Sequence, residues 1–350
     1  MIVAAWLVAT ALAPSQHRGA SERVTIAAVG DVLLHKELQR QAIASPIRFR
    51  SLWQGLAAEL SAADMTYANL EGPMAYGINR ALQEVPDPGL RFDDEVYTGW
   101  NRFNYPPQLA DDLARAGFDV VSTANNHALD RGALGADRTL DALDHFGVAH
   151  TGTRRAGSRD PWHAVVHANG FAIAWLACAQ HTNHLPDDRR QVLRCFARDR
   201  TLEAQVRTLA ADPAVDAVIV TPHWGAEYVA APNGKQRRLA RRLIDAGALA
   251  VLGSHPHVLQ PWTTHVAPDG HEGFIVYSLG NFVSHQQELG RRTSAVVSIT
   301  LARDESGRAR FERADYVPFA VREDGGRFFA EIVTDGPSHA LVADLLRPLQ

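Results

Sequence analysis

The chain has 350 residues, 46% of them hydrophobic and 21% charged, enough to bury one large core or two small ones. With 35 Lys and Arg against 39 Asp and Glu, the formal net charge is -4, and the arginine clusters are short and mixed with acids. No broad basic field exists to hold a phosphate backbone, so nucleic acid is excluded as the expected partner.

Residues 2–13 form an apolar stretch of secretory length, too short to span a bilayer as a helix, and Ala11-Leu12-Ala13 fits a small-x-small cleavage rule. Residues 1–22 are therefore expected to be a signal segment of an exported protein of the cell envelope. No Lys or Arg precedes the run, and a displaced start on a cytosolic chain is the other explanation. Residues 24–29 are short and β-branched and predict a buried strand that delivers Asp31 at its end. Helical spacing follows over 51–60, then a strand over 65–70 ending at Glu71-Gly72-Pro73. Residues 72–105 are rich in Pro, Gly, Asp and aromatics without a period, which predicts a long functional loop or lid.

Pro106-Pro107 opens a helix through 116, Gly117 stops it, and a strand over 118–123 exits at Asn125-Asn126-His127. A helix over 134–146 comes next. Asn169-Gly170 between two apolar runs predicts a hairpin. A helix over 201–211 and a strand over 215–221 lead to Pro222-His223-Trp224-Gly225. A helix over 235–246 and a strand over 249–252 lead to Gly253-Ser254-His255-Pro256-His257. A strand over 274–279 ends on Gly280-Asn281-Phe282, and antiparallel hairpins are expected from residue 294 onward.

The alternation predicts an α/β fold with helices flanking a largely parallel central sheet, in one domain over 23–350. Ligands collect beyond the carboxyl ends of such strands, so Asp31, Glu71, Asn126, His223, His255 and His257 are expected to converge there. Imidazole with carboxylate suits Mn, Zn or Fe better than a calcium or magnesium site. His255-Pro256-His257 needs a bend between its rings, which proline supplies. His35 either reaches the Asp31 metal or begins the next helix. Cys178 and Cys195, the only two cysteines, bracket a polar loop and either bridge it or remain buried thiols.

Taken in order, Gly30-Asp31, Asn69-Leu70-Glu71, Asn125-Asn126-His127 with Asp130, His223-Trp224-Gly225 with Glu227-Tyr228, Gly253-Ser254-His255-Pro256-His257 and Gly280-Asn281-Phe282 resemble the motif set of the CapA-type poly-γ-glutamate capsule synthesis family. That family is similar to calcineurin-like metallophosphoesterases. The resemblance spans Val24 to Phe282 and implies a metallophosphoesterase-like αββα sandwich with two divalent transition metal ions. By that resemblance Asp31 and His257 would hold one metal, Glu71 would bridge, and Asn126, His223 and His255 would hold the other. His127 would be the general acid and Asp130 its orienting partner. Two departures stand out: Leu33 occupies the place of the phosphoesterase histidine, with His35 two residues later, and the bridging acid is Glu71 instead of aspartate.

The function expected is a metal-dependent hydrolase of the capsule machinery, acting on a capsule polymer or a phosphorylated small substrate, with other capsule-export proteins as partners. The alternative is a non-enzymatic, metal-containing polyanion-binding protein using arginines such as Arg80, Arg91, Arg131 and Arg237.

Overall fold

Alternation along the first strand sets the architecture. In a computed structural model, which describes residues 22–198 and 201–347, β1 (Arg23–Val32) sends Val24, Ile26 and Ala28 into one core and Ala27 and Val29 into another. A strand that is apolar on both faces must be covered on both. The expected signal segment lies outside the described residues but for Glu22.

After β1 come α1 (Lys36–Ala44), two 3-10 turns (Arg48–Leu52 and Gln54–Leu56) and a short α2 (Ala57–Ser61). The helix expected over 51–60 is broken, because Trp53 leaves helical geometry at φ -133° and Gly55 lies so close to the backbone of Ala330 that an added Cβ would sit 2.5 Å from its carbonyl oxygen. β2 (Met65–Leu70), α3 (Gln108–Arg115), β3 (Val120–Ser122) and α4 (Gly132–Phe146) fall where the periodicity predicts, and β4 (Ala149–Thr151) is an addition. β5 (His163–Ala168) and β6 (Phe171–Ala179) form the expected hairpin, turned by Asn169 and Gly170 at φ 47° and 79°.

The remaining elements are α5 (Thr201–Ala210), β7 (Ala217–His223), α6 (Gly234–Asp245), β8 (Ala250–Leu252), β9 (Leu259–Val266), β10 (Glu272–Leu279) and β11 (Asn281–Val283). Then follow α7 (Leu289–Arg292), β12 (Thr293–Arg303), β13 (Ala309–Asp324), β14 (Arg327–Ile332) and α8 (Gly336–Leu345). One sheet runs β14-β13-β12-β1-β2-β3-β4 with β11 beside β1, and the other runs β5-β6-β7-β8-β10-β9.

The expectation of one central sheet is therefore corrected to two. Strands buried on both faces read alike whether they share one sheet or two, so periodicity could not separate them. The sheets meet over Ile26, Tyr67, Ile173, Trp175, Ile219 and Phe274, with the Tyr67 and Trp175 rings stacked at 5.1 Å and 9°. Outside the first sheet pack Leu38 of α1, Leu109 of α3 and Leu143 of α4; outside the second pack Val206 of α5 and Leu239 of α6. The result is the αββα sandwich.

Residues 72–105 are irregular, as expected, yet they are pinned rather than loose. Asn104 donates to the carbonyls of Ala75 and Val96 and accepts the Ala75 N–H. Arg131, 1% exposed, reaches the carbonyls of Ile78 and Val96 and the hydroxyl of Thr98. A buried guanidinium tied to a loop backbone cannot also greet a polymer in solvent, so Arg131 leaves the set of polyanion-binding candidates.

Candidate metal centre

The two sheets share their carboxyl-end rim through one glycine pair. Asp31 donates its N–H to the Gly280 carbonyl at 3.0 Å, and a Cβ on Gly30 would lie 1.8 Å from that oxygen. Gly280, at φ 66°, carries the chain from β10 in the second sheet to β11 in the first. Backbone this close tolerates only glycine at position 30, and it sets Asp31 against the ends of the other sheet.

The first sheet supplies Asp31 from β1, Glu71 after β2 and Asn126 after β3; the second supplies His223 from β7 and His255 and His257 after β8. All six are buried. His257 Nδ1 lies 3.1 Å from Asp31 Oδ2 and its Nε2 lies 3.7 Å from Glu71 Oε1. His223 Nε2 lies 2.8 Å from Asn126 Oδ1, 3.1 Å from His255 Nδ1 and 3.6 Å from Glu71 Oε1. Ligand atoms of Glu71, His255 and His257, and separately of Asp31, Glu71 and His223, lie within 4.8 Å of one another, so Glu71 belongs to both groups. The six residues converge, although from two sheets instead of one.

The His255-Pro256-His257 turn is bent more than proline alone requires. Both histidines have left-handed backbone, at φ 97° and 57°, and their ring centroids are 6.0 Å apart. Non-glycine residues in that region are held there by their surroundings and cluster at functional sites. Here Tyr228 N–H donates to the Pro256 carbonyl at 2.7 Å, and Ser254 N–H donates to the Pro222 carbonyl at 3.0 Å.

Charge at this rim is unbalanced. Glu71 is fully buried, and neither carboxylate oxygen has a hydrogen-bond partner. Burial, with the negative charge of Asp31 beside it, pushes its carboxyl well above the usual carboxylate range. Burial, reinforced by neighbouring imidazoles, pushes His223 and His255 well below the ordinary histidine value, which favours their neutral forms. Neutral imidazoles around an unpartnered carboxylate fit divalent cations, which need deprotonated nitrogen and oxygen donors.

His127 stands at the edge of this group. Its Nδ1 lies 2.7 Å from Asp130 Oδ2, its Nε2 lies 3.5 Å from Asn183 Nδ2, and its ring meets Phe103 edge-on at 4.8 Å. Asp130 thus fixes Nδ1 and the ring's orientation, with Nε2 turned toward Asn183. His35 occupies the N-cap of α1, its ring edge-on to Phe103 at 5.4 Å. Burial lowers its pKa to about 4, and among the described residues no hydrogen bond or ion pair joins it to Asp31 or Glu71.

Four further residues belong to the site. Asn69 donates to Asp31 Oδ1 at 2.8 Å and lies 3.3 Å from His223 Nδ1, Ser254 Oγ lies 3.0 Å from the same nitrogen, and Asn281 Oδ1 lies 3.0 Å from His257 Nδ1. Asn69, Ser254 and Asn281 stand inside motifs already noted, and that adjacency was their signal. Asn183, which accepts from Asn126 at 3.3 Å, comes from the loop after β6 and has no sequence signal at all.

An αββα sandwich with a buried imidazole and carboxylate cluster at its strand ends is a metallophosphoesterase-like fold. Residues 25–286 match the profile of the bacterial capsule synthesis protein PGA_cap, and the chain belongs to that family. It is 28% identical to the capsule biosynthesis protein CapA of Bacillus anthracis, over 97% of this chain and 80% of the relative. It is 29% identical to the PGA biosynthesis protein CapA of Bacillus subtilis, over 85% of this chain and 73% of the relative. Among solved structures it is similar to a 5'-nucleotidase precursor from Thermus thermophilus (TM-score 0.50, 16% identity, 89% of this chain and 54% of that one). It is also similar to the NAD nucleotidase of Haemophilus influenzae (TM-score 0.51, 11% identity, 94% of this chain and 63% of that one). Identities this low speak for the fold, and the chain spans less than two thirds of each nucleotidase.

Proposed function

We propose that the protein is a metal-dependent hydrolase of the phosphoesterase type, acting in the biosynthesis or export of a capsule polymer related to poly-γ-glutamate. The observation that carries this reading is Glu71: a buried carboxylate with no partner is costly, and cations held between it and the surrounding imidazoles relieve that cost. In this reading Asp31 and His257 would hold one ion and Asn126, His223 and His255 a second, with Glu71 available to either. When bound, such ions neutralise a phosphoryl group and make water acidic enough to attack it.

The chain's own residues do the rest. Asn69 orients the Asp31 carboxylate, and Ser254 orients the His223 ring, by the hydrogen bonds described above. His127 donates a proton from Nε2 to the departing oxygen, with Asp130 holding Nδ1. The substrate is a phosphate ester or a polymer-linked bond.

The Cys178–Cys195 disulfide, absent from the usual repertoire of reducing compartments, supports an extracytoplasmic location. The test is metal analysis of protein purified without chelators, followed by assay of the metal-loaded protein on aryl phosphates. Two bound transition metal ions with hydrolysis support the reading; full occupancy without hydrolysis of any ester overturns the enzymatic part.

A further inference from the structure

Helix α6 carries Lys235, Arg237, Arg238, Arg241 and Arg242. Its apolar side, with Leu239, Ala240, Leu243 and Ile244, is buried against the second sheet, while Lys235, Arg237, Arg238 and Arg241 face solvent. Some arginines elsewhere on the surface have acids beside them, among them Arg155 with Asp141 and Asp144, Arg303 with Asp216, and Arg322 with Glu331. On α6, among the described residues, only Arg242 has one, pairing with Glu203, and Arg237 is turned to the Pro232 carbonyl. Lys235, Arg238 and Arg241 make no ion pair among the described residues. In a chain of net charge -4, a concentrated and unneutralised basic row attracts an anionic partner.

The row borders a cavity of about 340 Å³ lined by Gln180, Phe196, Lys235, Arg238 and Arg242. Gln180 is also part of the metal centre's outer wall. Its side chain accepts the Gly225 N–H at 3.1 Å and donates to the Gly225 carbonyl at 3.2 Å, and its own N–H donates to the His223 carbonyl at 2.8 Å.

We propose that α6 and this cavity bind a linear polyanion, one with an anionic group on each repeat, and lead it toward the metal centre. Lys235, Arg238 and Arg241, the cations without an ion pair among the described residues, fall at i, i+3 and i+6, a row along about 9 Å of helix. Cations in line suit repeated charges, whereas one small anion would call for cations that converge. A membrane surface fits less well, because the apolar face of the helix is already buried and offers nothing to insert. The delivery of the polymer to the metal centre rests on the hydrolase reading; the cationic row does not.

The experiment measures binding apart from hydrolysis. End-labelled polyglutamate is titrated with the full chain, with and without metal, at low and high salt, and compared with the triple variant Lys235→Ala, Arg238→Ala, Arg241→Ala. We expect wild-type binding that weakens with salt and falls about tenfold or more in the triple variant. Single Arg238→Glu is the second variant, needed if the triple variant does not fold, and it should weaken binding in the same direction. The proposal is overturned if wild type does not bind the polymer, if the variants bind equally well, or if phosphatidylglycerol vesicles are bound in preference to the polymer. Hydrolysis of p-nitrophenyl phosphate is followed in parallel: its absence from the wild type alongside α6-dependent binding would defeat the hydrolase reading and leave this one standing.

Discussion

Asp130 Oδ2 accepts two hydrogen bonds at once, from the His127 ring at 2.7 Å and from the Phe103 N–H at 2.7 Å. The pinned 72–105 segment and the proposed general acid are thereby joined at one oxygen atom. Asp130→Asn should lower turnover on esters with poor leaving groups by about tenfold, and His127→Ala by about 10²–10⁴-fold. Neither change should lower metal content. Steady-state rates on a series of esters of graded leaving-group acidity check this: full activity of His127→Ala on the poorest leaving group would remove the assignment.

His255 has a different duty, since its Nδ1 lies 3.1 Å from His223 Nε2, inside the ligand cluster. Loss of a nitrogen donor should lower occupancy, because water replaces imidazole poorly. Metal analysis of His255→Ala after dialysis is expected to show less bound metal than His127→Ala treated in the same way.

Glu71 gives a pH signature in the metal-free protein. Its folded pKa is raised above the ordinary 4.5, so above that value the unfolded chain has released a proton that the folded chain still holds. Stability from this group therefore falls as pH rises from the unfolded to the folded pKa. His223 and His255, with lowered folded values, act in the opposite direction below the ordinary 6.5. Comparison with Glu71→Gln cancels their contribution. Thermal melts of both chelated proteins should show the variant gaining on wild type as pH rises from 4.5. A gap that does not change with pH would contradict the raised pKa.

Arg131 is predicted to hold the 72–105 segment. Arg131→Met removes the donors that serve the Ile78 and Val96 carbonyls and should destabilise the protein by about 3 kcal/mol, seen as a lower denaturation midpoint. A change within a few tenths of that midpoint's error would show that the segment is held by packing alone.

The Cys178–Cys195 bridge joins residues 17 apart in sequence. Chain-entropy arguments give about 3 kcal/mol for a loop of that size. Cys178→Ala with Cys195→Ala, measured by urea unfolding, should lose stability of that order, and unmodified protein should show no free thiol under denaturing conditions.

Much of this candidate site was legible because its residues stand at strand ends, where a strand's β-branched run gives way to Gly, Pro or Asn. Asp31, Glu71, Asn126, His223, His255 and His257 each carry that mark. The two-sheet division was not legible from periodicity, since β1 and β6 are buried on both faces in either arrangement. β4 and β9 were missed for other reasons: β4 is three residues long, and β9 begins immediately after the His257 turn and contains Pro261. Asn183 and the α6 row depend on folding of the chain around them, and no local pattern announces either.

The strand bearing Asp31 is an early element whose neighbours on one side are late ones: Arg23 pairs with Ala302, and Asp31 with Asn281, while β2 flanks the other side. During synthesis Asp31 therefore waits, with one flank of its strand open, until nearly the whole chain has emerged. Pairings between distant segments form slowly and leave strand edges uncovered meanwhile. The candidate metal centre, which needs His257 from the second sheet beside Asp31 from the first, is therefore completed only after most of the chain has been made.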